Sequence, residues 1–181
     1  MERRIEVGGD LLVVRRLAGD EEARACARIM AGSDPWRTLH RGYDDSLAIL
    51  RDPSRESYVA LRDAEVIGFA VLSMQGAFVG YMQSIGVRED WRGRGLGSRL
   101  IAFAEERIFQ ETPNVFICVS SFNPRARELY ERLGYEVVGE LRDYIVRGHS
   151  EWLLRKTVAP LADWTTQRAS LAFEPRRATP E

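Results

Sequence analysis

The sequence predicts one α/β domain built on a single mixed sheet with flanking helices. Apolar runs rich in β-branched residues alternate with segments of helical periodicity, in the order β, α, α, β, β, β, α, β, α, β, β. Two neighbouring runs, "SYVALRD" and "EVIGFAVLSMQ", are separated only by Asp63-Ala64 and make an antiparallel hairpin. A later run, "VFICV" at 115–119, is apolar throughout, as a buried parallel strand requires. The chain thus carries signals of both kinds of pairing.

Each element has a local reason. "LLVVRRL" (11–17) is a first strand, and Asp20 is positioned to cap a helix through "EEARACARIMAG", which Gly32 ends. The Asp34-Pro35 pair then breaks the chain into a loop carrying Trp36 and Leu39, and "YDDSLAILRD" is a short second helix. The hairpin follows, then a strand at 78–87 after Gly76. "SRLIAFAEERIF" (98–109) sets Leu100, Ile101, Ala104 and Ile108 on one helical face, and Thr112-Pro113-Asn114 stops it. "NPRARELYERLG" is a helix with Asn123 at the N-cap, Pro124 in the first turn and Gly134 at the stop. "YEVVGEL" and "SEWLLRK" complete the sheet. The domain thus spans 1–159, followed by a tail, 160–181, that either frays or docks through Trp164 and Phe173.

Composition narrows the function. With 181 residues, 29% of them charged and a net charge of −1, the chain lacks the basic excess of a nucleic-acid or membrane-surface binder. Arginine supplies nearly all the positive charge, since Lys156 is the only lysine. Cys26 and Cys118 lie far apart and read as buried free thiols, and the two histidines have no ligand spacing, so no metal site is expected. "MERRIEVGGD" has no signal-peptide core and no run approaches the roughly 20 apolar residues of a membrane span, so a cytoplasmic location is expected.

The stretch Arg92-Gly93-Arg94-Gly95-Leu96-Gly97 runs straight into the helix at Ser98. Glycines at a strand-to-helix junction let backbone approach a ligand, and the first N–H groups of a helix have no internal partner. With the helix dipole and two arginines, the junction is suited to phosphate. The Walker pattern is absent, and alternating glycines without an acidic strand end do not make a dinucleotide fingerprint.

Arg92-x-x-Gly95-x-Gly97 between a strand and an amphipathic helix resembles the acyl-CoA pyrophosphate loop of the GNAT N-acetyltransferase superfamily. "NPRARELYERLGYEVVGE" (123–140) resembles the family's asparagine-to-tyrosine helix and following strand, and some features are similar to the ribosomal-protein N-terminal alanine acetyltransferases. The resemblance covers about residues 10–157. It implies a GNAT-type, mostly antiparallel mixed sheet whose central strands, "YMQSIGV" and "VFICV", splay apart to admit pantetheine.

It further implies acetyl-CoA as co-substrate. Backbone of Ile85, Gly86 and Val87 would pair with the pantetheine amides, and Arg92, Gly93, Arg94, Gly95, Leu96, Gly97 and Ser98 would hold the pyrophosphate. Asn123 and Arg127 would lie at the cofactor's other edge, and Tyr130 would both contact the cofactor and donate a proton to the departing sulfur. The chemistry also needs a proton acceptor near the amine. Where relatives carry a glutamate ahead of the asparagine this chain has Cys118, so Tyr81, Gln83, His149 and Glu151 stand as candidates. Trp36, His40, Tyr43, Asp44 and Asp45 either line an acceptor pocket suited to a cationic amine or pack and cap locally. The expected acceptor is a small-molecule primary amine, with a peptide N-terminus or a non-catalytic acyl-CoA sensor as the alternatives and a homodimer left open.

Overall fold

The computed structural model describes residues 2–165. Eight strands form one sheet in the order β1-β2-β3-β4-β5-β6-β8-β7. They are β1 (Glu2–Val7), β2 (Asp10–Arg16), β3 (Arg55–Arg62), β4 (Glu65–Ser73), β5 (Tyr81–Val87), β6 (Asn114–Ser120), β7 (Glu136–Arg142) and β8 (Ser150–Thr157). The helices that pack with the sheet are α1 (Gly19–Ala31), α2 (Tyr43–Arg51), α3 (Leu96–Phe109) and α4 (Pro124–Arg132). All neighbouring strands are antiparallel except β5 and β6, which are parallel. The mixed, mostly antiparallel sheet is the expected fold class.

The differences from the sequence reading have local causes. Strand β1 was not expected, because its charged residues leave Glu2, Arg3, Arg4 and Glu6 exposed on a sheet edge; the Gly8-Gly9 turn into β2 was the available signal. Asp20 does not cap α1. Ala18 holds the N-cap position, Glu22 accepts its N–H at 2.7 Å, and Asp20 instead pairs with Arg24 and Arg51. The turn between β3 and β4 is at Asp63-Ala64 as expected, both residues having positive φ. In α4 the Asn123 carboxamide oxygen accepts the Ala126 N–H at 3.3 Å, and Pro124 opens the first turn. Residues 161–165 are helical with Trp164 half-buried, while Phe173 lies outside the described residues.

Helices cover both faces, so alternate residues of a single strand enter two cores. On β3, Tyr58 and Ala60 join Leu100, Phe103 and Ile108 of α3, whereas Val59 and Leu61 meet Ala27 and Met30 of α1. Burial on both faces explains why β3 and β4 lack a polar alternation despite being antiparallel. One ion pair lies inside this packing: Lys156 Nζ stands 2.8 Å from the carboxylate of Glu105, a residue only 9% exposed, beside the Tyr135 ring.

Candidate functional site

The sheet is interrupted at its middle. Strand β5 is paired along its length with β4, and β6 along its length with β8, but β5 and β6 meet only at Tyr81 and Phe116. Beyond that contact the strands diverge and a cleft of about 420 Å³ opens between them. A register irregularity between Val71 and Leu72 leaves Gln83 of β5 without a partner residue on β4. Gln83 lines the cleft, and its side-chain oxygen is buried without a hydrogen-bond partner among the described residues. Ile85, Gly86 and Val87 form the wall beyond it. Gly86 is required by close packing: a Cβ there would lie 2.4 Å from the Phe69 ring and 3.1 Å from Trp36.

At the far end of β5 a 3-10 turn (Glu89–Trp91) leads into the glycine loop and α3. Gly95 is the N-cap in the left-handed conformation (φ 88°), which no β-branched residue adopts without strain. The first backbone bond of α3 reaches Gly95 from Arg99, so the N–H groups of Leu96, Gly97 and Ser98 have no helical partner. The first turn carries no acidic residue and no side-chain cap. The two arginines are held apart: Arg92 Nε donates to the Val87 carbonyl at 3.2 Å, while the Arg94 guanidinium lies 4.8 Å from the Trp91 ring centroid. Arg92 and Gly97 line the cleft. Gly93, Arg94, Gly95 and Ser98 are not part of the lining, and the Leu96 side chain is buried in the core.

On the opposite wall stand Asn123, the N-cap of α4, and Tyr130 within that helix. Tyr130 is 5% exposed, contacts Tyr135 edge to face, and its hydroxyl makes no hydrogen bond among the described residues. Burial pushes its pKa well above the usual phenol range. Arg127 lies off the cleft lining, pairing with Glu131 at 2.8 Å and covering the Trp152 ring.

Of the four proton-acceptor candidates, Tyr81, Gln83 and Glu151 line the cleft, and His149 does not; it packs edge-on against Phe122. Glu151 is 3% exposed and accepts a 2.6 Å hydrogen bond from Ser120 Oγ. Burial raises its pKa, an effect opposed by the Ser120 hydroxyl and by the charges of Arg41 and His149. Cys26 is buried as expected, and burial lifts its thiol to about 12. Cys118 is not fully buried: the divergence of β5 turns it into the cleft beside Tyr81, and burial raises both pKa values.

The acceptor-side loop divides differently from the expectation of an acidic pocket. Trp36 and Leu39 are buried against the sheet and form part of the cleft wall, Trp36 lying 5.8 Å from Phe69. His40, Tyr43, Asp44 and Asp45 lie off the lining, and Asp45 accepts the Gly42 N–H at 3.1 Å at the start of α2. The charged residue that this loop does bring to the cleft is Arg41. Neither Arg41 nor Ser120 was anticipated, because nothing in sequence spacing relates either to Glu151. Tyr144 and Ile145, from the β7–β8 connection, complete the rim.

Comparison with known proteins agrees with this architecture. Residues 22–135 match the Acetyltransferase (GNAT) family. N-alpha-acetyltransferase RimI of Mycobacterium tuberculosis is 29% identical over 143 residues, 75% of this chain and 86% of that protein. Aminoalkylphosphonate N-acetyltransferase of Salmonella typhimurium is 33% identical over 99 residues, 51% of this chain. The chain spans 56% and 64% of the length of the first two curated relatives it matches. Among solved structures, an aminoglycoside 6'-N-acetyltransferase complexed with coenzyme A superposes with a TM-score of 0.66 at 17% identity, covering 81% of this chain and 97% of that one. The chain belongs to the GNAT family of acetyltransferases.

Proposed function

We propose that the chain transfers an acetyl group from acetyl-CoA to the primary amine of a small molecule by direct attack. The observation that carries the reading is the cleft between β5 and β6, which runs from the open N-terminus of α3 to Tyr130 and Glu151. The residues present fit an acyl-CoA. An unpaired strand edge suits the amides of a pantetheine arm, the uncapped helix start suits pyrophosphate, and the side-chain oxygen of Gln83 awaits a donor. When bound, the thioester supplies an activated acyl carbon and a sulfur leaving group.

The chain's own groups then have distinct tasks. Leu96, Gly97 and Ser98 offer backbone N–H groups to phosphate, reinforced by Arg92. Backbone N–H groups of Ile85–Val87 orient the acyl carbonyl and stabilise negative charge developing on its oxygen. Glu151 takes a proton from the acceptor's ammonium, directly or through a water, freeing the nitrogen lone pair that attacks the acyl carbon. Tyr130 keeps its proton across the neutral range and gives it to the departing sulfur.

A calorimetric titration with acetyl-CoA tests the reading, with Gly95→Glu as the control that places a carboxylate and a strained side chain in the phosphate loop. Micromolar binding that this substitution abolishes, together with amine-stimulated release of CoA thiol, is the expected result. Absence of binding to acetyl-CoA and to longer acyl-CoAs would remove the assignment. Similarity to the RimI protein favours a peptide N-terminus as the second acceptor class. A panel of peptides alongside small amines separates the two.

A further inference from the structure

The acceptor end of the cleft carries one charge of each sign, arranged to face a ligand rather than each other. Arg41 ends the loop that holds Trp36, and its backbone N–H donates to the Trp36 carbonyl at 3.0 Å, which fixes its position. Other partly buried arginines of this protein have side-chain partners, as Arg15 has Glu22, Arg107 has Glu56 and Arg155 has the Asn114 amide oxygen. Arg41, half-buried in the cleft wall, makes no side-chain hydrogen bond or ion pair among the described residues. Glu151 stands on β8 with one carboxylate oxygen engaged by Ser120, and its other oxygen makes no hydrogen bond among the described residues. The field of Arg41 reaches the Glu151 carboxyl, yet the two form no ion pair within 4.0 Å. Both line the same cleft, with Trp36, Leu39 and Ile145 as its apolar surface.

A guanidinium with five donors and no partner is a receptor for a planar or tetrahedral oxyanion. A buried carboxylate with a free oxygen receives an ammonium. From this juxtaposition we infer that the acceptor is a small zwitterion, whose amine meets Glu151 and whose carboxylate or phosphonate, a few bonds away, is held by Arg41. Polycations such as polyamines and aminoglycosides set a second positive charge against Arg41 and are disfavoured. The inference rests on the acetyl-transfer reading and names the substrate class of the same site.

The test is equilibrium binding to the protein saturated with CoA, using amines matched in pairs: 2-aminoethylphosphonate against ethylamine, alanine against alaninamide, with spermidine as the polycation. The acid-bearing member of at least one pair is expected to bind about tenfold or more tightly, the size of one charge-assisted contact. The pair that shows the difference identifies phosphonate or carboxylate as the anionic group. Arg41→Gln should erase the preference and Arg41→Lys should restore part of it, whereas Arg37→Gln, on an exposed side chain off the cleft lining, should leave it intact. Equal affinities within both pairs, tighter binding of spermidine, or a preference that survives Arg41→Gln overturns the inference and leaves acetyl transfer standing. Failure of CoA itself to bind overturns both.

Discussion

Ser120 and Glu151 face each other across the β6–β8 ladder as direct partners, and the serine hydroxyl donates to the carboxylate at 2.6 Å. This pair puts a carboxylate at the cleft although position 118, on the same strand as Ser120, carries a cysteine. The hydroxyl holds the carboxylate in one orientation and partly offsets the burial that raises its pKa. Burial and the hydroxyl thus act on the Glu151 carboxyl in opposite directions, and burial prevails.

Glu151→Gln keeps the shape and the Ser120 contact but cannot take a proton. The expected outcome is a fall in kcat of about 10²–10⁴-fold, the usual contribution of a positioned base. Steady-state kinetics with acetyl-CoA held saturating measures it; a loss confined to KM would leave Glu151 a binding residue only.

Removing the Ser120 hydroxyl should move a pH profile. Because that bond lowers the Glu151 pKa, Ser120→Ala raises it further, and the acid limb of kcat/KM shifts to higher pH. A raised folded-state pKa also has a stability sign. Such a group favours the folded state below its unfolded pKa, and that advantage is lost as pH rises through the folded value. Glu151→Gln is therefore expected to raise the Tm of the ligand-free protein at pH 7–8, with the gain shrinking toward pH 4. A gain that grew on acidification would contradict the raised pKa.

Tyr130→Phe deletes one oxygen from a ring that is otherwise packed against Tyr135. Thermal stability should change little, while kcat drops by about two orders of magnitude or more with the KM for acetyl-CoA nearly constant. Burial holds the phenol protonated, so no basic limb from this group is expected in the native profile below about pH 10. Rate profiles of native and variant protein on one amine decide the point.

Gly86→Ala forces a methyl group into the Phe69 ring edge. Overpacking of this kind costs about 1–3 kcal/mol. It also bends the β5 edge that faces the cleft, so denaturant melts and acetyl-CoA titrations should both register the change. A variant with native stability would mean that Phe69 and Trp36 can yield.

Elements set by local chemistry were legible in the sequence, and those set by tertiary placement were not. The Asp63-Ala64 turn, the Asn123 cap with Pro124 behind it, and the glycine loop before α3 each depend on residues adjacent in the chain. Ile85–Val87, Asn123 and Tyr130 fall on one cleft for the same reason: each sits at a fixed offset from such a signal. Strand β1 escaped because an exposed edge strand needs no apolar alternation. Asp20 has the residue type and position of a cap, but Arg51 of α2 and Arg24 draw it away, a competition that only the packed helices create. Arg41 and Glu151 come to line one cleft through the folding of a loop over a distant strand, which no local periodicity encodes.

The Lys156–Glu105 pair has a chemical consequence for a protein that handles thioesters. Lysine amines are the side chains that an activated acetyl group modifies without a catalyst, and Lys156 is the only one in the sequence. Its ammonium stands 2.8 Å from the Glu105 carboxylate, so acetylating it would break a partly buried ion pair. The cationic side chains elsewhere are guanidiniums, which do not surrender their protons near neutral pH. Stray acetylation of side-chain amines therefore has one target in this sequence, and there it strips the mostly buried Glu105 of its counter-ion.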